Sequence, residues 1–206
     1  MNCHAVSEQD EAGEYRVEAR LTGRANAAPW ILSNPIYVDL PAPDVTTPVA
    51  PASTEVLPLL GGEWRTEHDP ASAANLEKGG GAAAMSYHLA ADRIASQFAA
   101  LVVPVPAGAP PFDALLVDLA SSRQARVSIQ LRSVDGVARW YRSAYVPPEG
   151  RSLALPVSSL LPVERGTPDF DPRRVGSILL VVDLVNATPG TAGRLVVRNI
   201  ALARSN

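Results

Sequence analysis

The stretch ARVSIQLRSVDGVARWYRSAYV, Ala125 to Val146, decides the fold. Two runs of alternating apolar and polar residues flank Asp135-Gly136, a dipeptide that favours a two-residue type I′ hairpin turn. Such a turn fixes the register. Val134 falls opposite Val137, Arg132 opposite Arg139, Leu131 opposite Trp140, Gln130 opposite Tyr141 and Ile129 opposite Arg142. Further along, Ser128 meets Ser143, Val127 meets Ala144, and Arg126 meets Tyr145. One face then holds Val127, Ile129, Leu131, Trp140 and Ala144, and reads as core. The other holds Arg126, Ser128, Gln130, Arg132, Arg139, Tyr141, Ser143 and Tyr145.

That second face is a row of amide, hydroxyl, guanidinium and phenol groups on a rigid scaffold. Sugar hydroxyls want bidentate polar partners, and sugar C–H faces want an aromatic platform. Gln130, Arg132, Arg139, Tyr141 and Tyr145 are therefore the candidate ligand contacts. The same residues also suit an ordinary solvated sheet surface. Arg132 opposite Arg139 is unfavourable unless a carboxylate or an anionic ligand sits between them. Arg142 falls on the apolar face, where a guanidinium must be paired, and Glu67, Asp69 or Asp183 could serve.

Working outward, the same short-strand pattern recurs. MSYHLA (85–90), FAALVVPV (98–105), FDALLVDLA (112–120), RSLALPV (151–157), SILLVVDLV (177–185) and RLVVRNIALA (194–203) join the two hairpin runs. Eight strands with Gly and Pro between them predict an all-β protein, an antiparallel sandwich or jelly roll. The one stretch with helical character is Ala71–Lys78. Ahead of this region, EYRVEARL (14–21) alternates as a half-buried strand and WILSNPIYV (30–38) follows as a second, interrupted at Asn34-Pro35. Alone in water such a pair is marginal, so it needs a host sheet. Pro41, Pro43, Pro48 and Pro51 then mark a semi-rigid tether over 39–56. The expected organisation is a strand pair over 1–38, a linker over 39–56 and a sandwich domain over 57–206.

Composition narrows the function. A net charge of -3 over 206 residues, with no clustered basic stripe, argues against nucleic acid. No apolar run is long enough to span a membrane. The single cysteine, Cys3, cannot form an internal disulfide and reads as a terminal thiol. The three histidines, His4, His68 and His88, lack the spacing of a multinuclear metal site. Glu63 to Ser72, EWRTEHDPAS, is acidic enough to raise calcium as a cofactor, but it lacks an EF-hand pattern and reads as a capped turn at Asp69-Pro70. Gly79 to Gly81 lacks the ending of a phosphate loop, and no hydrolase, zincin or dinucleotide signature occurs. Asp169 and Asp171 look like turn formers. The opening MNCHAVSEQDE lacks the charge and apolar core of a signal peptide, so the cytoplasm is the default expectation for the chain as written.

Two resemblances add to this. YRVEARL…PWILSNPIYV, within Glu14 to Val38, resembles the closing segment of bacterial PHP-type metal-dependent phosphoesterases. In that family the histidines and carboxylates that bind metal lie upstream of this segment, which implies that the chain is the tail of a longer hydrolase and carries none of its catalytic residues. The rest, about 57 to 204, resembles galactose-binding-like jelly rolls of the carbohydrate-binding-module type. Glu63-Trp64 with Glu67 and Asp69, VSIQLRSVDGVARWYRSAYV, and LVVRNIALAR carry that likeness. Asn199 stands where such folds often have an acidic residue, which counts against a calcium site.

Together these imply a non-catalytic, carbohydrate-binding accessory module, its partners a sugar ligand and a hydrolase domain. The rival expectation is a structural domain that packs on a hydrolase domain or on a second copy of itself, binding no small ligand. A third reading makes the chain itself an enzyme.

Overall fold

The computed structural model describes 54–92, 97–164 and 166–205, together with four short strands near the N-terminus. Cys3, His4 and the tether over 39–53 lie outside the described residues. The chain divides into two units, Met1–Thr46 and Thr47–Asn206. In the first, β1 (Gly13–Tyr15) pairs antiparallel with β4 (Ile36–Val38), and β2 (Glu18–Ala19) with β3 (Ile31–Leu32). The two segments expected to pair there do so, with Glu14 opposite Tyr37 and Glu18 opposite Leu32.

The second unit is a sandwich of two antiparallel sheets. One has the order β13 (Arg151–Pro156), β10 (Ala114–Ser121), β16 (Ala192–Ser205), β8 (Ala82–His88), β7 (Ala73–Gly79), and β5 (Thr54–Pro58) extends it along the end of β16. The other has the order β14 (Leu161–Pro162), β12 (Arg139–Val146), β11 (Ala125–Ser133), β15 (Val175–Asp183), β9 (Phe98–Pro104), β6 (Arg65–His68). Among the described residues no helix is long and apolar enough to cross a membrane.

Every strand expected from 85 onward is present, and β11 and β12 have the expected bounds. Three expectations are corrected. Ala71–Lys78 is not helical: Ala73–Gly79 forms β7, because Ala74 and Leu76 turn inward while Asn75 and Glu77 face out, a period of two rather than 3.6. The sandwich begins at Thr54, inside the segment assigned to the tether, because Thr54–Pro58 pairs with Ala201–Ser205. Arg142 is exposed, not buried. β14 covers β12 only at Trp140 and Tyr141, so at Arg142 β12 is the sheet edge and the guanidinium reaches water.

The core lies between the sheets. Ile178, Leu180 and Val182 of β15 meet Leu195, Val197, Ile200 and Leu202 of β16 in one continuous buried cluster. In β16 the inward phase switches between Val197 and Ile200, because a bulge opposite Asp118 and Leu119 inserts an extra residue. β9 and β15 are apolar on both faces, and Ala100, Val102, Leu179 and Val181 form a second cluster on the side facing away from that core. Trp140 is buried as expected. Its Nε1 donates to the Pro168 carbonyl at 3.1 Å and its ring meets Phe170 edge-on.

The hairpin turn is one pair wider than the sequence implies. Ser133 N–H donates to Ala138 O at 2.9 Å and Gly136 N–H donates to Ser133 O at 2.9 Å, so Val134 and Val137 do not pair. They are 75% and 79% exposed instead. The widening is symmetric about Asp135-Gly136, so every pairing from Arg132–Arg139 to Arg126–Tyr145 is retained. Gly176 supports this turn: a Cβ there would lie 2.8 Å from Val134 Cα. Gly176→Ala is expected to cost ~1–3 kcal/mol in chemical denaturation, as a small-to-large change against rigid backbone.

Candidate functional site

The five candidate contacts all fall on the outer face of β11 and β12, as the register requires. They do not form one open platform. Gln130 is only 8% exposed; its Nε2 donates to Ser128 Oγ at 3.2 Å, and its Oε1 has no hydrogen-bond partner among the described residues. Tyr141 is half-buried. Tyr145 is 49% exposed and lies across from Arg126, whose guanidinium sits 5.9 Å from the ring centre.

The two arginines that face each other each hold a carboxylate of their own. Arg139 Nη2 lies 3.1 Å from Glu164 Oε1 at the solvent-facing edge. Arg132 makes a fork on Glu67, Nη1 to Oε2 at 2.9 Å and Nη2 to Oε1 at 3.0 Å, while its Nε donates to Ser177 Oγ at 3.1 Å. Arg65 Nη2 adds a bond to Glu67 Oε1 at 2.7 Å. The like-charge conflict across the hairpin is thus relieved internally. Glu67 serves Arg132 and not Arg142, the partner expected from sequence.

The Arg132–Glu67 fork carries geometric information. β15 and β9 lie between β11 and β6, and the register sets Arg132 in line with Ser177 and Pro104 but Glu67 in line with Ala100, so the two residues start three strand spacings and four residues apart, roughly 19 Å on a flat sheet. They meet only because the twisted sheet curls toward this face along that diagonal. The outer face is therefore concave, with Arg132, Glu67 and Arg65 bridging one end of it. There a cavity of about 970 Å³ opens between the fork, Ser177, the hairpin turn at Asp135-Gly136 and the loop from Pro106 to Pro111. Of the five candidates, only Arg132 lines it. Glu67, Arg65 and Ser177 are the polar groups that sequence reasoning did not place on this face. No local signal could place them, since their position depends on which strand lies three places from β11.

The carboxylates here are fixed by hydrogen bonds. Arg132 donates to Glu67 and holds its carboxyl below the usual range, against a contrary pull from burial and with help from Arg65. Burial pulls the Asp69 carboxyl upward, but hydrogen bonds from Ser72, Phe98 and Ala71 outweigh it, so this carboxyl too lies below its ordinary value. Asp69 Oδ1 accepts from Ala71 and Ser72 N–H, and Oδ2 accepts from Phe98 N–H at 2.9 Å. That is the capped turn expected at Asp69-Pro70. Both oxygens are engaged by backbone, and among the described residues no group of three histidine, cysteine or acidic side chains could hold a metal ion.

No protein-family model and no curated protein matches the chain. Solved structures do match. The Family 11 carbohydrate-binding module from Clostridium thermocellum, in complex with a beta-1,3-1,4-mixed-linked tetrasaccharide, has a TM-score of 0.55 at 20% identity, over 72% of this chain and 94% of that one. The Family 11 module of a cellulosomal cellulase of Clostridium thermocellum gives the same score and identity, over 73% and 94%. PfGH50B gives 0.51 at 12% identity, over 72% of this chain but 23% of its own. The fold is the jelly-roll sandwich of these modules.

The Glu67 network sets an acid limit on stability. A carboxyl whose folded value is depressed stabilises the fold above its ordinary value of 4.5, and that contribution fades as pH falls through the depressed value. Wild type should therefore melt above Glu67→Gln at neutral pH, and the gap should close in acid. Thermal melts of both proteins from pH 7 to pH 3 measure this directly.

Proposed function

We propose that the sandwich unit is a non-catalytic carbohydrate-binding module that takes an oligosaccharide along the concave outer face of β12, β11, β15, β9 and β6. The observation that carries this reading is the polar row of that face: Tyr141 half-buried and Tyr145 exposed on β12, Arg132 and Arg139 each fixed by a carboxylate of its own, and the unpartnered Gln130 Oε1 buried beside them. A sugar hydroxyl offers that oxygen a donor. Tyr141 and Tyr145 are the aromatic surfaces. Arg132, held by Glu67, and Arg139, held by Glu164, present remaining N–H groups in fixed directions. The shared fold with a module solved around a mixed-linked tetrasaccharide supports the ligand class.

The accessory role belongs to the same proposal. The module would hold substrate near a metal-dependent hydrolase domain, raising its effective concentration. The likeness of Glu14 to Val38 to the end of such a domain supports it, as does the occurrence of the fold within a much longer chain in PfGH50B. A second reading, an interface with no sugar, is favoured by the exposed Leu161 and Val163 beside β12.

Titration calorimetry with a beta-1,3-1,4-linked glucose tetrasaccharide, backed by a glycan array, tests the proposal. Tyr141→Ala and Tyr145→Ala should each weaken binding by about tenfold, the upper range of one aromatic contact. Absence of binding to every glycan, with a dimer in light scattering that these substitutions break, would establish the interface instead.

A further inference from the structure

The opposite end of the sandwich holds a feature that the concave face does not use. A cavity of about 390 Å³ opens where β11 begins and β15 ends, walled by Ala125, Val182, Val185 and Ala187. Tyr87 of β8 reaches it from the other sheet. It is 5% exposed, and its hydroxyl is buried with no partner among the described residues. Asn186 supplies a second such atom. Its Nδ2 donates to Asp183 Oδ1 at 2.9 Å, which orients the amide and leaves Oδ1 buried and unpartnered. Arg123 and Arg126 line the same cavity, no carboxylate lines it, and neither guanidinium has an ion pair at contact distance among the described residues.

Gly193 makes room for this arrangement. A Cβ there would sit 2.6 Å from the Tyr87 hydroxyl. Burial holds the Tyr87 phenol above its ordinary value, partly offset by the charge of Arg123, so it stays a protonated donor at neutral pH. A donor without an acceptor, an acceptor without a donor, and a guanidinium, Arg123, without an ion pair among the described residues are complementary to one chemical class. We propose that this cavity is a second binding site, for a sugar acid, with its carboxylate on Arg123 and the Tyr87 hydroxyl and one of its hydroxyls donating to Asn186 Oδ1. The site stands independently of the concave face, whichever ligand that face takes.

The probe is glucuronic acid, with glucose as the neutral comparator of the same ring, titrated into the full chain. Glucuronate should bind and glucose should bind at least tenfold more weakly. Tyr87→Phe and Arg123→Gln should each lower glucuronate affinity tenfold or more, and Tyr141→Ala, on the concave face, should leave it unchanged. Tyr87→Phe keeps the ring and removes only an unpartnered buried hydroxyl, so the free protein should melt no lower than wild type. Equal binding of glucose and glucuronate, no glucuronate binding, or glucuronate binding that survives Tyr87→Phe and Arg123→Gln would each overturn the proposal. So would a marked loss of stability in Tyr87→Phe, which would mean that water already satisfies the hydroxyl.

Discussion

Side chains alternate along a strand, so the pairing of β11 with β12 decides in one step which groups meet the opposite sheet and which meet solvent. That pairing is secured at its closed end by side chains as much as by backbone. Ser133 Oγ accepts from Ala138 N–H at 2.9 Å, Asp135 Oδ1 accepts from Val137 N–H at 3.1 Å, and Asp135 Oδ2 holds Arg174 at 2.9 Å. Val134 N–H donates to Arg174 O at 2.8 Å, tying the turn to the entry of β15. A slip of one residue would put Gln130 and Arg132 into the core and Ile129 and Leu131 into water. Burial of two such aliphatic side chains contributes roughly 3–6 kcal/mol, which a slipped register would forfeit.

From that register the concave face follows. Arg132 must lie on the same side as Ser177, its partner across β15, and so on the same side as Leu179 and Val181. Central strands buried on both sides need something apolar on each, and β9 and β15 turn Leu101, Val103, Ile178, Leu180 and Val182 inward and Ala100, Val102, Leu179 and Val181 outward. On β9 the outward Ala100 and Val102 are small, which leaves room for long side chains from β11 and β6 to meet above the sheet. The Arg132–Glu67 fork therefore depends on Ala100 and Val102 being small as well as on the twist.

The hairpin was readable because its signal is local: a turn dipeptide, two alternating runs, and nothing else competing. The turn could widen by one pair without cost to the register, since both arms lengthen the loop equally. What could not be read was long-range. β6 and β7 carry few large apolar residues, and RTEH and AANLEKG resemble loop or helix until a neighbouring strand claims their backbone. Thr54–Val56 looks like tether for the same reason, since the polar residues and the proline of Thr54–Pro58 suit only a sheet edge. Arg142 shows the reverse error. Alternation assigned its face correctly, but beyond Tyr141 β12 is the edge of its sheet, because β14 has two residues, and a long side chain at an edge reaches water whichever face it starts from. Of the candidate site, the polar face was readable and its internal salt bridges were not, because Glu67 lies 65 residues from Arg132 in sequence.

The two ends of the sandwich handle charge in opposite ways, and this separates what each can bind. At the hairpin end four arginines hold carboxylates: Arg65 and Arg132 share Glu67, Arg139 holds Glu164, and Arg174 holds Asp135, while Arg173 lines the cavity there with no ion pair among the described residues. An anion arriving at the Arg132 fork would have to displace an intramolecular partner already held there, so the fork itself favours neutral, hydroxyl-rich groups. At the far end Asp183 is the nearest acid. Burial raises its carboxyl above the usual range, while its oxygen is used by the Val185 and Asn186 N–H groups. It therefore offers Arg126 only partial compensation and leaves Arg123 none. A buried phenol beside Arg123 carries a desolvation cost that a hydrogen-bond acceptor would offset, and among the described residues none is placed to do so.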